Sequence, residues 1–323
     1  MILEILLALP ISDKTFFYKK NIFEEKEPKI GQIVKVNFRN KKQIGIVFKI
    51  PEKIDINKKL SEIESSFENY SFNKEIMESI NFLSKYTCNS LSIVLKNFLS
   101  GFKESSKKLK LLNYHHDFKC PILSEEQKKA LSIIKENNIG TFNVLSLYGV
   151  TGSGKTRVYM NLVKEKLKKN FQCLILVPEI ILTKEWVGEI FNDFGITAEI
   201  YHSSIKASQK ARIWNHIILS KPILIIGTRS SLFLPFKNLG IIVVDEEHDP
   251  SYKQEDKLII NARDFAIIRA KNSNCPIILS SATPSIENIY NCKKKKFIEI
   301  QMSKRVNRVP LPEINIIDMK KEK

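Results

Sequence analysis

The stretch that decides the fold reads Gly149-Val150-Thr151-Gly152-Ser153-Gly154-Lys155-Thr156. It follows an apolar run, 142–148, and precedes a segment with helical periodicity. Glycines let backbone N–H groups converge on a polyphosphate, because no Cβ atom obstructs the unusual φ and ψ angles that such a loop needs. The stretch therefore predicts a phosphate-binding loop between a buried strand and a helix.

The residues at the end of this loop favour a nucleoside triphosphate with Mg²⁺ as the ligand. The helix beginning near Lys155 directs its positive dipole end at the same anion, and the Lys155 ammonium adds a cation for the outer phosphates. The Thr156 hydroxyl can ligate Mg²⁺. A glycine-rich surface turn before an ordinary helix is the alternative, and the Gly-Lys-Thr ending disfavours it. The residues predicted to bind the nucleotide are Gly149, Thr151, Gly152, Ser153, Gly154, Lys155 and Thr156.

From residue 124 onwards, apolar runs alternate with helical segments, which is typical of an α/β fold with a parallel sheet. Each run ends in a polar or small-residue loop. In a parallel sheet these loops lie along one edge, where ligands bind. The runs span residues 142–148, 173–177, 223–226, 241–244 and 277–279, and helices are predicted over 182–194, 208–220 and after a cap at Ser124.

Two acidic residues end the fourth apolar run. Asp245 follows four β-branched residues, so we expect it at the tip of a buried strand, where it can hold Mg²⁺ opposite the Thr156 hydroxyl. Glu246 is the next residue and can act on the water that attacks the γ-phosphate, as a base or by orienting it. An acidic strand end that only caps the sheet is the alternative. Beside a complete phosphate loop, we favour Asp245 and Glu246 as the catalytic pair.

The composition limits the possible classes of protein. The chain has 323 residues, enough for two or three domains, and 43% hydrophobic residues, enough for a sizeable core. A net charge of +17 points to a polyanionic partner such as nucleic acid, although only eight of the 52 basic residues are arginine. The five cysteines show no paired spacing, so we expect neither disulfides nor zinc ligands. No apolar run approaches the length of a membrane span, and we expect a soluble cytoplasmic protein.

Residues 1–66 are predicted to form a small β-rich domain. Residues 31–38 alternate in polarity, 39–43 form a polar turn and 44–50 are again apolar, which indicates a hairpin. The aromatic residues Phe16, Phe17 and Tyr18 allow two interpretations. They form either a surface that stacks on bases or part of a core, and core positions are more frequent for aromatic residues in a strand.

The hydrophobic period changes over residues 71–102. Apolar residues recur there at intervals of three and four and predict two helices joined near 87–90. Two packed helices are compatible with a winged-helix element and equally with a structural linker.

Motifs in the α/β part resemble those of superfamily-two helicases. Residues 149–156, Asp245-Glu246-Glu247-His248 and Ser281-Ala282-Thr283 resemble motifs I, II and III. The intervening residues are similar, more narrowly, to the primosomal replication-restart helicases, nearly without gaps from residue 124 to 302. These residues include Pro178-Glu179-Ile180, Tyr201-His202-Ser203, Gly227-Thr228-Arg229-Ser230, Tyr252-Lys253-Gln254 and Ala262-Arg263-Asp264.

The resemblance implies a role for each matching residue. Lys155, Thr156, Asp245 and Glu246 keep the roles given above, and further residues acquire one. Those residues are Gln127 for reading adenine, His248, Ser281 and Thr283 for coupling the nucleotide to DNA, Thr183, Thr228 and Arg229 for contacting the DNA backbone, and Phe16 and Tyr18 for binding the 3′ end of a nascent strand.

The resemblance also implies an architecture and an activity. A P-loop NTPase (RecA-like) lobe over 119–302 would follow a β-rich 3′-DNA-end-binding-like domain, 1–66, and a shortened winged-helix-like segment, 71–118, with a basic tail over 303–323. The implied activity is that of an ATP-dependent 3′-to-5′ DNA helicase of replication restart, with Mg²⁺ as cofactor. Its implied partners are forked or single-stranded DNA, primosome proteins and single-strand-binding protein, at the bacterial nucleoid in the cytoplasm.

Departures from the family pattern leave alternatives open. After Asp318 the sequence stops where the family continues with a zinc module and a second motor lobe, so we expect hydrolysis by this chain alone to be slow. A non-hydrolysing fork-binding scaffold is the second hypothesis, and DNA-stimulated phosphate release would exclude it. A small-molecule kinase is the third, which the Ser-Ala-Thr and Gly-Thr-Arg-Ser loops disfavour.

Overall fold

The protein consists of an antiparallel sheet, a pair of helices and a larger parallel sheet with helices on both faces, in that chain order. The predicted fold class is therefore confirmed. The computed structural model describes residues 1–10, 14–21, 26–52, 60–104, 112, 116–137, 141–179, 181–182, 184–256 and 258–306. Thr183 lies outside these ranges. Within them, no helix is both long enough and apolar enough to cross a bilayer.

The amino-terminal sheet is a five-stranded antiparallel sheet that buries side chains on both faces. Along its strands, Leu3 and Ile5 point into one cluster of buried residues, whereas Leu6 points into another. This alternation is the two-residue period of a strand that is covered on both sides. The strands are β1 (Ile2–Leu7), β2 (Thr15–Lys19), β3 (Gln32–Phe38), β4 (Lys41–Lys49) and β5 (Ser65–Ser71), in the spatial order β2-β1-β4-β3-β5.

The predicted hairpin is present with a tighter turn than expected. Only Arg39 and Asn40 separate β3 from β4, and both have positive φ angles, of 50° and 60°. Two-residue hairpin turns take this conformation because it follows the twist of the strands. β5 pairs with β3 as far as Ser71, so the sheet extends past residue 66, the predicted end of the domain.

The two predicted helices are confirmed as α1 (Lys74–Thr87) and α2 (Leu91–Phe98). The side chains of Asn73 and Ser90 cap them, accepting hydrogen bonds from backbone N–H groups three residues further on. No strand lies between residues 72 and 118 in the part of the chain that the structure describes. The described residues of this segment thus contain two helices and no wing, and the winged-helix-like segment stays a prediction.

The larger lobe is a seven-stranded sheet in which every pairing is parallel, in the order β14-β6-β13-β10-β7-β9-β8. Its strands are β6 (Val144–Gly149), β7 (Gln172–Leu176), β8 (Ala198–Tyr201), β9 (Ile223–Gly227), β10 (Leu239–Asp245), β13 (Ile277–Ser281) and β14 (Ile298–Met302). A two-stranded ribbon, β11 (Lys253–Gln254) and β12 (Ile260–Asn261), stands apart from it. The helices are α3 (Glu125–Asn137), α4 (Lys155–Lys168), α5 (Lys184–Phe194), α6 (Ala207–Ile218), α7 (Ala262–Asn272) and α8 (Ile286–Lys293).

Residues on the central strands alternate between two cores. Ile242 and Val244 of β10 join a cluster that also contains residues of α6 and α7, whereas Ile241 and Val243 join one with residues of α4. Because these strands are buried on both faces, they read as continuous apolar runs, and all five predicted runs correspond to strands. The two strands that were not predicted, β8 and β14, lie at the edges of the sheet.

The amino-terminal sheet and the larger lobe share one hydrophobic core. A single cluster of buried residues runs from Leu6 through Phe98 to Trp214 and Ile225. The Trp214 indole N–H donates to the Phe98 carbonyl oxygen at 2.8 Å, and Tyr70 Oη donates to Asn215 Oδ1 at 2.5 Å. Packing of this kind allows little independent movement of the two sheets.

We expect Trp214→Phe to lower the free energy of unfolding by about 1–3 kcal/mol, because the buried Phe98 carbonyl loses its hydrogen-bond donor. The measurement is urea unfolding followed by far-UV circular dichroism. Tyr86→Phe is the matched control on α1, since Tyr86 is 57% exposed, and should change the stability by less than about 0.5 kcal/mol. Equal stability of the two variants would contradict a shared core at Trp214.

Candidate functional site

Three loops meet at the carboxyl edge of the parallel sheet because β13 lies between β6 and β10. The strand register pairs Ser281 with Tyr148, near the end of β6, and pairs Ser280 with Asp245, at the end of β10. The predicted convergence of residues 149–156, 245–248 and 281–283 is therefore confirmed.

The phosphate loop has the backbone that the glycines predicted. Gly152 and Gly154 have φ angles of 81° and 79°, which residues with a Cβ atom rarely adopt. Gly154 is also the N-cap of α4. A Cβ atom at Gly154 would lie 2.2 Å from Nε2 of Gln127, so a larger residue would displace the Gln127 side chain and would also be strained by the positive φ angle.

Lys155 is the cation of this loop, and its side chain is largely buried. Its Nζ donates to the Gly149 carbonyl oxygen at 2.8 Å. Burial lowers the pKa of Lys155, while the carboxylates of Glu246 and Asp245 act in the opposite direction. Because Lys155 follows β6 and both acidic residues stand at the end of β10, the three residues lie at the carboxyl edge of the same sheet.

The loop suits a ligand rich in anionic oxygen atoms. The Ser153 hydroxyl is buried and has no hydrogen-bond partner among the described residues. Buried hydroxyl groups seldom remain unpaired, and this one lies in the loop that precedes the positive end of a 14-residue helix. The hydroxyl, the helix end and the Lys155 ammonium together fit a polyphosphate.

The Asp245 carboxylate is held by hydrogen bonds from two neighbouring elements. Its Oδ1 accepts a hydrogen bond from Ser280 Oγ at 2.8 Å, and its Oδ2 accepts one from Tyr159 Oη at 2.9 Å. Burial raises the pKa of Asp245, although both hydrogen bonds oppose this effect. The carboxylate is thus fixed in orientation before any metal arrives.

The two predicted Mg²⁺ ligands lie on either side of one hydroxyl group. Tyr159 Oη, which donates to Asp245, also lies 3.4 Å from Thr156 Oγ1. An aspartate oxygen and a threonine hydroxyl are suitable ligands for Mg²⁺, which usually takes its remaining ligands from phosphates and water. The positions of Thr156 and Asp245 therefore fit a nucleotide-bound Mg²⁺ ion.

Glu246, His248 and motif III form a continuous polar chain. His248 Nδ1 lies 3.6 Å from Glu246 Oε2 and 2.8 Å from Ser281 Oγ, and the Thr283 backbone N–H donates to Ser281 Oγ at 2.9 Å. Burial, followed by the charge of Asp245, raises the pKa of Glu246. The structure thus brings together the three residues predicted to couple nucleotide and DNA, next to the predicted base.

Glu247 organises the region behind this chain, and sequence reasoning missed it. Its carboxylate has no exposed surface and forms an ion pair with Arg263 at 3.0 Å. It also accepts hydrogen bonds from the Ser285 N–H and hydroxyl and from Asn288 Nδ2, at 2.8, 3.0 and 3.0 Å. Glu247 therefore fixes motif II to the starts of α7 and α8. The Ala262-Arg263-Asp264 motif is the sequence signal that could have indicated this role, because Arg263 is the ion-pair partner of Glu247.

Gln127 braces the phosphate loop. Its Nε2 donates to the Ser153 carbonyl oxygen at 3.1 Å, and its Oε1 accepts from the Ser124 N–H at 2.9 Å. The Ser124 hydroxyl in turn accepts from the Gln127 N–H, which forms a reciprocal capping box and confirms the predicted serine cap. Gln127 has no exposed surface, so its described contacts are to protein, and the adenine-reading role stays a prediction.

Two of the residues predicted to contact DNA lie beyond β9. Thr228 is buried and, together with Glu179 and His202, lines a cavity of about 220 Å³ at the carboxyl edge. The Arg229 guanidinium donates to the Lys253 carbonyl oxygen at 2.8 Å, which ties this loop to the β11–β12 ribbon. Their contacts with DNA stay predictions, as does that of Thr183, which is outside the described residues.

The aromatic residues of β2 divide between core and surface. Tyr18 is 5% exposed and donates to the Asn37 carbonyl oxygen at 3.2 Å, so its ring is a core element and not a free stacking surface. Phe16 lies 4.6 Å from Phe38, centroid to centroid, and is half-buried. Phe17 is the exposed member. The structure thus favours the core interpretation for Tyr18 and leaves any contact with a 3′ end by Phe16 and Tyr18 a prediction.

The sequence matches two protein families. Residues 124–292, just over half of the chain, match the DEAD/DEAH box helicase family. Residues 4–100 match the 3′ DNA-binding domain (3′BD) family. The second match includes α1 and α2 along with the amino-terminal sheet.

Similar proteins carry the name Replication restart protein PriA. The one from Rickettsia prowazekii (strain Madrid E) is 43% identical over 320 residues, which cover 98% of this chain and 48% of that protein. The one from Bacillus subtilis (strain 168) is 38% identical over 201 residues, or 62% of this chain and 25% of that protein. The chain thus spans about half the length of the first of these relatives and a quarter of the second. A solved structure, the Pyrococcus furiosus Hef helicase domain, is 18% identical with a TM-score of 0.41, covering 55% of this chain and 37% of that one.

We expect Asp245→Asn to raise the melting temperature of the nucleotide-free protein at neutral pH. The pKa of Asp245 is raised above its ordinary 3.8 in the folded protein, so the folded state holds the proton more tightly than the unfolded chain. Ionisation of the buried Asp245 therefore lowers the free energy of unfolding of the parent protein. This loss is absent below pH 3.8 and complete above the raised pKa. Calorimetry from pH 4 to 8 should show a gain that grows with pH.

Asp193→Asn is the matched control, because Asp193 is exposed on α5. Its melting temperature should follow that of the parent protein at every pH. A lower melting temperature for Asp245→Asn at pH 7 would mean that the carboxylate is needed for folding.

Proposed function

Because this chain belongs to the DEAD/DEAH box helicase family, we propose that it is the DNA-binding region and first motor lobe of an ATP-dependent DNA helicase of replication restart. The observation that carries the proposal is the placement of Lys155, Asp245 and Glu246 on one rim of the sheet, beside a loop that fits polyphosphate. The match to a 3′ DNA-binding domain and the names of the relatives support the DNA substrate and the restart role.

In this proposal the phosphate loop binds and orients the triphosphate. In the structure the Lys155 ammonium donates a hydrogen bond to the Gly149 carbonyl oxygen. When the triphosphate binds, the ammonium turns to the outer phosphates and the Ser153 hydroxyl gains an acceptor. Thr156 and Asp245 hold Mg²⁺, which neutralises charge on the phosphates when it is bound. Gln127 keeps the loop in place through its hydrogen bond to the Ser153 carbonyl oxygen, and its adenine-reading role is carried over from the family resemblance.

Glu246 is the group that orients and deprotonates the attacking water. Its pKa is raised by burial and by Asp245, which makes it a better base than an ordinary carboxylate. Its backbone takes a positive φ angle of 46°, which turns its side chain out of the strand direction that Asp245 follows. Strained backbone of this kind tends to occur at functional sites.

Coupling between nucleotide and DNA runs through His248, Ser281 and Thr283. A change at Glu246 on hydrolysis reaches motif III through two contacts, from Glu246 to His248 and from His248 to Ser281. Thr183, Thr228 and Arg229 contact the DNA backbone, and such contacts position DNA without reading its sequence. The amino-terminal sheet with Phe16 and Tyr18 receives the 3′ end of the nascent strand.

Finer features of the function follow the family. We propose 3′-to-5′ movement on forked or single-stranded DNA, with primosome proteins and single-strand-binding protein as partners. The place of action is the bacterial cytoplasm at the nucleoid. The names of the relatives refer to replication restart and support that role alone, whereas the direction, the protein partners and the place of action are carried over from the family resemblance.

The proposed nucleotide site predicts that ATP with Mg²⁺ stabilises the protein. At a hundredfold excess over the Kd, the gain is about 2.7 kcal/mol, which amounts to several degrees in melting temperature. Lys155→Ala should abolish the shift, because the loop loses the cation that binds the outer phosphates. Differential scanning calorimetry with and without Mg²⁺-ATP makes the measurement.

Lys169→Ala is the matched control, since Lys169 is exposed directly after α4 and far from the loop. It should retain the full shift. If ATP left the melting temperature of the parent protein unchanged, the proposed nucleotide site would be rejected.

Binding to forked DNA should weaken steeply with salt, because phosphate contacts release condensed counterions. Arg229→Ala should reduce the slope of log K against log salt concentration by about one and weaken binding similarly for all sequences. Fluorescence anisotropy with a labelled fork measures both. Arg212→Ala, on the exposed surface of α6, is the control and should keep the parent slope. A salt-independent affinity would argue against DNA as the partner.

A further inference from the structure

Residues 303–306 cross the phosphate loop after β14. The Val150 N–H donates to the Met302 carbonyl oxygen at 3.2 Å, and the Val306 N–H donates to the Gly152 carbonyl oxygen at 3.0 Å. The segment 303–306, here called the strap, is therefore attached to the loop at its far end, while β14 pairs with β6 at its near end.

Glu126 holds the middle of the strap. Its Oε1 accepts from the Ser303 N–H at 2.8 Å and from the Ser303 hydroxyl at 2.9 Å, and its Oε2 accepts from the Lys304 N–H at 2.9 Å. Burial alone would raise the pKa of Glu126, but these hydrogen bonds more than offset that effect and hold the pKa below its ordinary value. The carboxylate is therefore charged at neutral pH and binds the strap through charge-assisted hydrogen bonds.

The first turn of α3 thus supports both the loop and the strap. Glu126 binds the strap, and its neighbour Gln127 donates to the Ser153 carbonyl oxygen of the loop. Two adjacent residues on one helix turn fix two segments relative to each other. The strap is therefore held in a defined position next to the phosphate loop.

Arg305 is the side chain that this arrangement brings to the loop. Its Cγ lies 3.9 Å from the position that a Cβ atom would take on Gly152, and, apart from Gly152 and its two chain neighbours, no other described residue has a heavy atom within 4 Å of that position. Its Nε is buried and has no hydrogen-bond partner among the described residues. Within the same residues, no Asp or Glu forms an ion pair with it.

A buried guanidinium N–H without an acceptor costs free energy, in this case directly beside a loop built for phosphate. We propose that Arg305 is a nucleotide-binding residue whose guanidinium donates to the phosphate chain of the bound nucleotide, and that Glu126 is the positioning residue that holds it there. This inference rests on the proposed nucleotide site. A planar guanidinium suits phosphate oxygens, which it can bind through two N–H groups at once.

The test is the affinity of the chain for Mg²⁺-ATP, Mg²⁺-ADP and adenosine, measured by competition against a fluorescent ADP analogue. Arg305→Ala should weaken ATP and ADP about ten- to a hundredfold, the size of a lost hydrogen bond to a charged group, and change adenosine less than about twofold. Arg305→Lys should recover part of the loss, because the charge remains while the two-pronged geometry does not.

Glu126→Gln should weaken ATP and ADP several-fold, because an amide replaces one acceptor with a donor that faces the Lys304 N–H. Lys304→Ala is the matched control in the same strap. Its backbone N–H donates the hydrogen bond to Glu126 and is kept in the variant, while its ammonium acts on that carboxylate through charge alone, so the affinities should stay within about twofold of the parent. The nucleotide-free melting temperature of Arg305→Ala should not fall, since the variant removes an unpaired buried N–H.

Two results would overturn the inference. One is parent-like affinity of Arg305→Ala for ATP and ADP, and the other is an equal loss for adenosine, which would assign Arg305 to the base. Failure of the proposed function looks different, because the parent itself would then bind no ATP and Lys155→Ala would change nothing.

Discussion

A buried carboxylate with fixed hydrogen-bond donors is the constraint on which the site depends. Asp245 ends a strand whose residues are all buried, so its charge has little water to stabilise it. Ser280 from the neighbouring strand and Tyr159 from α4 supply donors instead. The strand order and the position of α4 are therefore needed to stabilise the charge of Asp245, in addition to forming the hydrophobic core.

The side chains of the four residues of motif II, 245–248, point in different directions and make different contacts. Asp245 faces the phosphate loop and Glu246 turns towards the proposed water, whereas Glu247 points back into a buried network with Arg263. His248 reaches Ser281 on the next strand. The positive φ angle of Glu246 interrupts the strand and allows successive side chains to leave the alternation of a regular strand. One tight turn thus connects the nucleotide, the helices behind it and motif III.

Much of the fold could be predicted because the central strands are buried on both faces and read as plain apolar runs. The edge strands β8 and β14 could not, since Ala198-Glu199-Ile200-Tyr201 and Ile298-Glu299-Ile300-Gln301-Met302 mix polar and apolar residues in short segments. The phosphate loop and Asp245 were predictable because their chemistry lies in contiguous residues. Tyr159, Ser280 and Glu247 were missed because their roles arise only from pairing between distant segments. Tyr18 was left ambiguous because aromatic residues in a strand serve equally as core and as surface.

The shared core between the amino-terminal sheet and the larger lobe has a mechanical consequence. Trp214 and Phe98 lie in one cluster with residues of both sheets, and interiors packed to crystal-like density deform little. In the proposed function, the end of a DNA strand bound by the amino-terminal sheet would therefore stay at a constant distance from the nucleotide. If the proposed function is correct, folding alone would set the distance between the two binding regions, so branched nucleic acids would be distinguished by their dimensions before ATP is hydrolysed.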